Sequence, residues 1–222
     1  MADVKRLLIV DDDPLVRKSY LSFFDKQEWI TVAAEARNGL EAVEAYARNL
    51  PDLVVMDMQM PVMNGAEACG EICRRWPDAC VVMMTAFAEQ DLVVAALQAG
   101  AAGYLQKDVG GRGLLAGLRQ ALAGDMPLSG EVRRELVSKV VSSRPPDAPE
   151  SVHLTEREID VLRWLAEGMT NGEIAEKLYV SESSVKQYML AIGTKIGVRS
   201  RTGILIRAIR MRIINPFDEQ AV

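Results

Sequence analysis

Four apolar runs of strand length in this chain each end on a residue with reactive chemistry. Leu7-Leu8-Ile9-Val10 leads into Asp11 and Asp12, Leu53-Val54-Val55-Met56 into Asp57, Val81-Val82-Met83-Met84 into Thr85, and Gly103-Tyr104-Leu105-Gln106 into Lys107. Near-continuous apolar strands are the signature of a parallel sheet buried on both faces. The residue that follows each run then emerges at the carboxyl edge of the sheet, where open α/β folds bind their ligands. Three carboxylates, a hydroxyl and an ammonium gathered there suit a divalent cation and a phosphoryl group.

Helical patterns separate the runs, over 14–26, 39–49, 66–76, 89–99 and 111–123. Repeating strand-helix units imply a sheet covered on both sides, and right-handed crossovers favour the flavodoxin-like order of a five-stranded parallel sheet. Beyond Gly124 the stretch 129–143 reads as an isolated amphipathic helix, with Val132, Leu136, Val137 and Val140 on one side. Arg144-Pro145-Pro146-Asp147-Ala148-Pro149 then breaks regular structure. The chain is therefore expected to divide into 1–124, a linker at 125–152, and 153–222.

The last part lacks a strand pattern and has marked helix starts. Thr155-Glu156-Arg157-Glu158 and Thr170-Asn171-Gly172-Glu173 both have the capping-box spacing, and Ser181 is placed to cap a third helix. Apolar residues recur at helical spacing behind each start, and Gly168 and Gly197 mark stops. A final helix is expected from about Arg201 to Ile213. Two short helices joined by Tyr179-Val180-Ser181 form a helix-turn-helix, so this part is expected to be all-α.

The chain carries 26 Lys+Arg against 31 Asp+Glu, but the acidity is uneven. Within 177–212 eight cations face Glu182 alone, a net of +7 that a polyanion would meet locally. A solvated helical surface is the plainer explanation of that charge. No run approaches the about 18 apolar residues of a membrane span, and the charged start lacks a secretory pattern, so a cytoplasmic protein without a membrane role is expected. Cys69, Cys73 and Cys80 match no zinc spacing, and the single histidine, His153, is remote. They are read as small buried hydrophobes.

In order along the chain stand Val10-Asp11-Asp12, Met56-Asp57-Met58-Gln59-Met60-Pro61 with Asn64-Gly65, Met84-Thr85-Ala86 and Gly103-Tyr104-Leu105-Gln106-Lys107. Leu154-Thr155-Glu156-Arg157-Glu158, Glu173-Ile174-Ala175 and Val185-Lys186 follow. With these motifs the chain resembles a two-component response regulator of the NarL/FixJ type: about 5–123 is similar to receiver domains, and about 153–213 to the LuxR-type DNA-binding domain.

The resemblance implies that Asp57 is the phosphoacceptor for a sensor histidine kinase. It implies Mg²⁺ held by Asp11, Asp12, Asp57 and the Gln59 backbone carbonyl, with Thr85 and Lys107 meeting the phosphoryl oxygens. Tyr104 is implied as the aromatic that follows Thr85 inward on phosphorylation. Asp13 is read as a solvated neighbour, and Pro61, Asn64 and Gly65 as shaping the loop. Phosphorylation would alter the surface from about Phe87 to Ala123, releasing the second domain or driving a homodimer onto double-stranded promoter DNA.

For DNA contact the expected residues are Ser183, Ser184, Lys186 and Gln187 on the recognition helix, with Lys195, Arg199 and Arg201 on phosphates. Val185, Met189 and Ile192 are read as core. The sequence departs from the family pattern at Gly172, Tyr188 and Gly193; a mid-helix glycine costs about 1 kcal/mol relative to alanine, which points to close packing or a flexible helix end. Two other readings stay open: an adaptor whose C-terminal helices bind protein, and a regulator that does not depend on phosphorylation. A turnover enzyme is not expected, because the second part offers no nucleophile-base pair or cofactor loop.

Overall fold

The computed structural model describes residues 4–85, 90–128, 136–138, 140 and 152–215. The first unit alternates β1 (Lys5–Val10), α1 (Pro14–Phe24), β2 (Ile30–Ala36), α2 (Gly39–Asn49), β3 (Leu53–Asp57), α3 (Gly65–Arg75), β4 (Val81–Thr85), α4 (Gln90–Gln98), β5 (Gly103–Gln106) and α5 (Gly110–Ala123). Its five strands lie in the order β2-β1-β3-β4-β5, all paired parallel. This is the flavodoxin-like α/β order.

The strand runs explain the two faces. Leu8, Val10, Val54, Met56, Val81 and Met83 enter one core with α2, α3 and α4. Their neighbours Leu7, Ile9, Leu53, Val55, Val82 and Met84 enter the other, with Phe24 of α1 and Leu114 and Leu118 of α5. Successive side chains of a strand point to opposite faces, so only a wholly apolar run can serve both cores.

Among the described residues, the second unit comprises α6 (Glu156–Ala166), α7 (Asn171–Leu178), α8 (Glu182–Ile196) and α9 (Arg201–Arg210). Thr155 with Glu158 and Thr170 with Glu173 form complete capping boxes, and Ser181 accepts from the Ser184 N–H. α7 ends on Tyr179 in the left-handed region (φ 56°), which turns the chain into α8. The last helix stops at Arg210, three residues before the expected Ile213.

Leu136–Ser138 and Val140 are helical, and Leu136, Val137 and Val140 are buried, as the amphipathic pattern requires. Val132, Phe87 and the break at 144–149 lie outside the described residues. The core on the α2-α3-α4 face is continuous with the apolar interior of α6–α9, so the two units pack against each other.

Candidate functional site

β1 and β3 are neighbours although not consecutive, so the chain leaves the sheet in opposite directions on either side of that seam. A crevice opens there at the carboxyl edge. β1 delivers Asp11 to it, 1% exposed, and β3 delivers Asp57, 7% exposed. Asp12 is exposed beside them, and carboxylate oxygens of Asp11, Asp12 and Asp57 lie within 4.8 Å of one another. From the end of β5, Lys107 sends its Nζ to 2.7 Å from Asp11 Oδ2 and 2.7 Å from Asp57 Oδ1. The Lys107 N–H donates to the Thr85 carbonyl at 2.8 Å, which fixes the end of β5 against β4.

The charges are unequal. Burial pushes the Asp57 carboxyl above its ordinary range; Lys107 and the Gln59 N–H pull against this while Asp11 adds to it, and the net direction is upward. Burial also opposes the charge of Lys107, but hydrogen bonds to Asp11 and Asp57 outweigh it and raise its pKa. One ammonium serves two carboxylates: the lysine is well supplied with negative charge, and Asp57 is left short of positive charge. Such a site, open to a further cation, is a candidate for chemistry.

Local sequence shapes the rim. Asp13 is the N-cap of α1, accepting from the Leu15 N–H at 2.7 Å, so it has a definite structural task. Asn64 and Glu67 form a capping box on α3. Gly65 packs so tightly that a Cβ there would lie 2.1 Å from the Asp57 carbonyl oxygen, which only glycine allows. Arg17, which sequence reading overlooked, donates to the carbonyls of Asp11 at 2.7 Å and Asp12 at 3.2 Å and holds the loop that presents both. Its position one turn into α1 was the available signal.

Thr85 is buried at the end of β4 and Tyr104 is buried in β5. The Tyr104 hydroxyl has no hydrogen-bond partner among the described residues, and its backbone N–H donates to the Pro127 carbonyl at 3.1 Å. The chain beyond α5 thus covers the edge of β5 beside this ring.

On α8, Val185, Met189 and Ile192 are buried, as read. Ser183, Lys186 and Gln187 are exposed and Ser184 half-buried. Ser183 and Ser184 hydroxyls each lie 2.8 Å from that of Ser181, and Lys186 pairs with Glu182 at 2.9 Å. Lys195, Arg199 and Arg201, the cations expected at phosphates, each meet a protein partner. Lys195 donates to both oxygens of Glu158, Arg199 to both oxygens of Asp78, and Arg201 is buried against Asn171 and the Met169 carbonyl. Each partner is distant in sequence, so no local pattern announced it.

A parallel sheet with an acidic pocket at its switch point, joined to a capped helix-turn-helix, is the architecture of a receiver coupled to a DNA-binding module. The chain belongs to the two-component response regulators with a LuxR-family DNA-binding domain. Residues 7–119 match the response regulator receiver domain, and residues 152–208 match the bacterial regulatory proteins of the luxR family. The transcriptional regulatory protein LnrK of Bacillus subtilis (strain 168) is 36% identical over 214 residues, covering 92% of this chain and 96% of that one. The nitrate/nitrite response regulator protein NarL of Escherichia coli (strain K12) is 34% identical over 195 residues, covering 88% and 90%. Among solved structures, a LuxR-family two-component response regulator from Aurantimonas sp. SI85-9A1 is 30% identical with a TM-score of 0.57, covering 63% of this chain and 100% of that one. No described helix is long and apolar enough to cross a membrane.

Proposed function

We propose that Asp57 accepts a phosphoryl group from a sensor histidine kinase, and that the acyl phosphate controls homodimerisation and the engagement of promoter DNA by residues 153–222. The observation that carries this reading is the Lys107 ammonium, 2.7 Å from each of Asp11 and Asp57 inside a carboxylate cluster with too little positive charge. An isolated strand-end aspartate needs no such arrangement.

Asp11, Asp12 and Asp57, with the Gln59 carbonyl, would hold Mg²⁺; clustered hard oxygen donors facing one ammonium fit that ion and suit no soft metal. When bound, Mg²⁺ supplies the charge that lets an anionic phosphodonor approach a carboxylate. The Asp57 carboxylate is the nucleophile, bonding to phosphorus as the donor's leaving group departs with the electrons of the broken bond. Lys107 is already aimed at the Asp57 oxygen and would turn part of its charge to the new phosphoryl oxygens. Thr85 would donate its hydroxyl to one of them, and Tyr104 would follow the movement of Thr85.

On the output side Ser183, Ser184, Lys186 and Gln187 are assigned to base edges and nearby phosphates. The division into 1–124, 125–152 and 153–222, and a cytoplasmic location, belong to the same reading. The family matches, ending at 119 and resuming at 152, support that division.

Incubation with Mg²⁺ and a small-molecule phosphodonor, followed by intact-mass measurement, tests the first step. Wild type should gain one phosphoryl group and Asp57→Asn none; a gain that survives in Asp57→Asn would remove Asp57 from the role.

A further inference from the structure

Two of the three cysteines meet on α3. Cys69 and Cys73 stand one helical turn apart, and their sulfurs are 3.9 Å from each other. Cys69 is fully buried, whereas Cys73 is half-buried and borders an open cavity of about 590 Å³ that Arg74 and Gly100 also line. Cys73 thus connects a buried sulfur to a space that a small ion can enter. Its own S–H donates to the Gly100 carbonyl at 3.5 Å, which leaves the Cys69 S–H to point at the Cys73 sulfur. Cys80 takes no part, because it packs into the core on the opposite face of the sheet.

The spacing decides what the pair can hold. A disulfide needs Cβ atoms about 3.5–4.5 Å apart, but helix neighbours of this spacing keep them about 5–6 Å apart. Closing the bond would therefore unwind the end of α3. An ion bridging the sulfurs asks for no such change: two metal–sulfur bonds of about 2.3 Å set the sulfurs about 3.8 Å apart at a tetrahedral angle and about 4.6 Å apart in a line. The observed 3.9 Å lies between these limits. Ligand number then selects the ion. Among the described residues no third histidine, cysteine or carboxylate comes within 4.8 Å of both sulfurs, whereas a closed zinc site takes four ligands. Thiolates without hard oxygen donors favour Cu(I), a closed-shell ion that two thiolates can satisfy.

We propose that Cys69 and Cys73 form a two-thiolate site for a soft monovalent cation of the Cu(I) type. Each sulfur bonds to the ion as its proton passes to water. One Cu(I) and two thiols thus give a bis-thiolate complex of one net negative charge and two released protons, with no change in oxidation state. Arg74, adjacent to Cys73 and lining the same cavity, supplies positive charge nearby, although Glu71 shares it. Binding also removes the S–H that Cys73 gives to Gly100 in the turn between α4 and β5. This site is chemically distinct from the acidic pocket, whose oxygen donors suit a hard ion.

The test titrates the reduced full chain, without oxygen, against a coloured Cu(I) chelator, with the ultraviolet thiolate-to-copper absorption as a second readout. Wild type should take up one Cu(I) per chain. Cys69→Ser and Cys73→Ser should each weaken uptake by more than about a hundredfold, the most that losing a group which merely supports a ligand costs. Cys80→Ser should match wild type, and Zn(II) in excess should leave the copper in place. Circular dichroism reports whether each variant is folded; if buried Cys69→Ser is not, half-buried Cys73→Ser decides alone. No uptake by wild type, unchanged uptake in Cys73→Ser, or an equal loss in Cys80→Ser overturns the site. A ratio of one ion to two chains overturns the pairing of these two sulfurs, and displacement by Zn(II) overturns the choice of a two-coordinate soft ion.

Discussion

The ammonium of Lys195 lies 2.8 and 2.7 Å from the two carboxylate oxygens of Glu158, so a lysine expected at a DNA phosphate is committed to the capping carboxylate of α6. Glu158 meanwhile accepts the Thr155 N–H at 2.7 Å. The contact ties the start of α6 to the end of the recognition helix α8.

Replacing Lys195 with Met should therefore cost stability more than DNA affinity. Its side chain is 37% exposed and that of Glu158 only 5%, so the substitution strands a carboxylate that water reaches in part. A loss of about 1–2 kcal/mol is expected, below the full cost of breaking a buried pair. Urea unfolding of the variant should show a lower midpoint, while the salt slope for duplex binding stays at the wild-type value.

Acid should undo the same contact. Burial pushes the Glu158 carboxyl up, but Lys195 and Thr155 pull it further down, so in the folded chain it lies below its usual value of about 4.3. The folded pKa is the lower one; the stabilisation is complete above the unfolded value and disappears as pH falls through the folded value. Urea midpoints from pH 7 to pH 3 should fall less in Glu158→Gln than in wild type. Parallel decline would remove this pair from the acid response.

Asp57→Asn should raise the thermal midpoint in metal-free buffer, because Asp11 and Asp57 share one ammonium. About 1 kcal/mol corresponds to a rise of roughly 2–4 °C for a chain of this size. Adding Mg²⁺ at one hundred times its Kd should stabilise wild type by about 2.7 kcal/mol and the variant much less. Equal shifts in the two proteins would take Asp57 out of the metal site.

Gly193→Ala sets two effects against each other. Helix propensity favours alanine by about 1 kcal/mol. A Cβ at this position would lie 2.4 Å from the Val198 carbonyl oxygen, and backbone there must shift to admit it. Overpacking costs about 1–3 kcal/mol, so net destabilisation near 1 kcal/mol is expected. A variant more stable than wild type in urea would show that the turn after α8 yields easily.

Tyr179→Asn should gain up to about 1 kcal/mol, since φ is 56° and asparagine tolerates the left-handed region better than tyrosine. The ring is 95% exposed, so little packing is lost. An unchanged urea midpoint would show that the turn carries no strain.

Much of this architecture follows from local order in the chain. The apolar runs that set β1, β3, β4 and β5 also place Asp11, Asp57, Thr85 and Lys107, because a strand's end and its buried character are both written in consecutive residues. The Thr155, Thr170 and Ser181 caps were legible for the same reason. β2 was not, since it is an edge strand with a mixed burial pattern and no continuous apolar run.

Only the tertiary structure decided which charges meet. Lys107 with Asp11, Lys195 with Glu158, Asn171 with Asp125 and Arg199 with Asp78 are separated by 96, 37, 46 and 121 residues. Sequence by itself determined the periods, caps and strand ends, which depend on neighbours three or four positions away at most. The partner of a cation depends on how helices pack and which groups lose water, and that is settled only when distant segments share one interior.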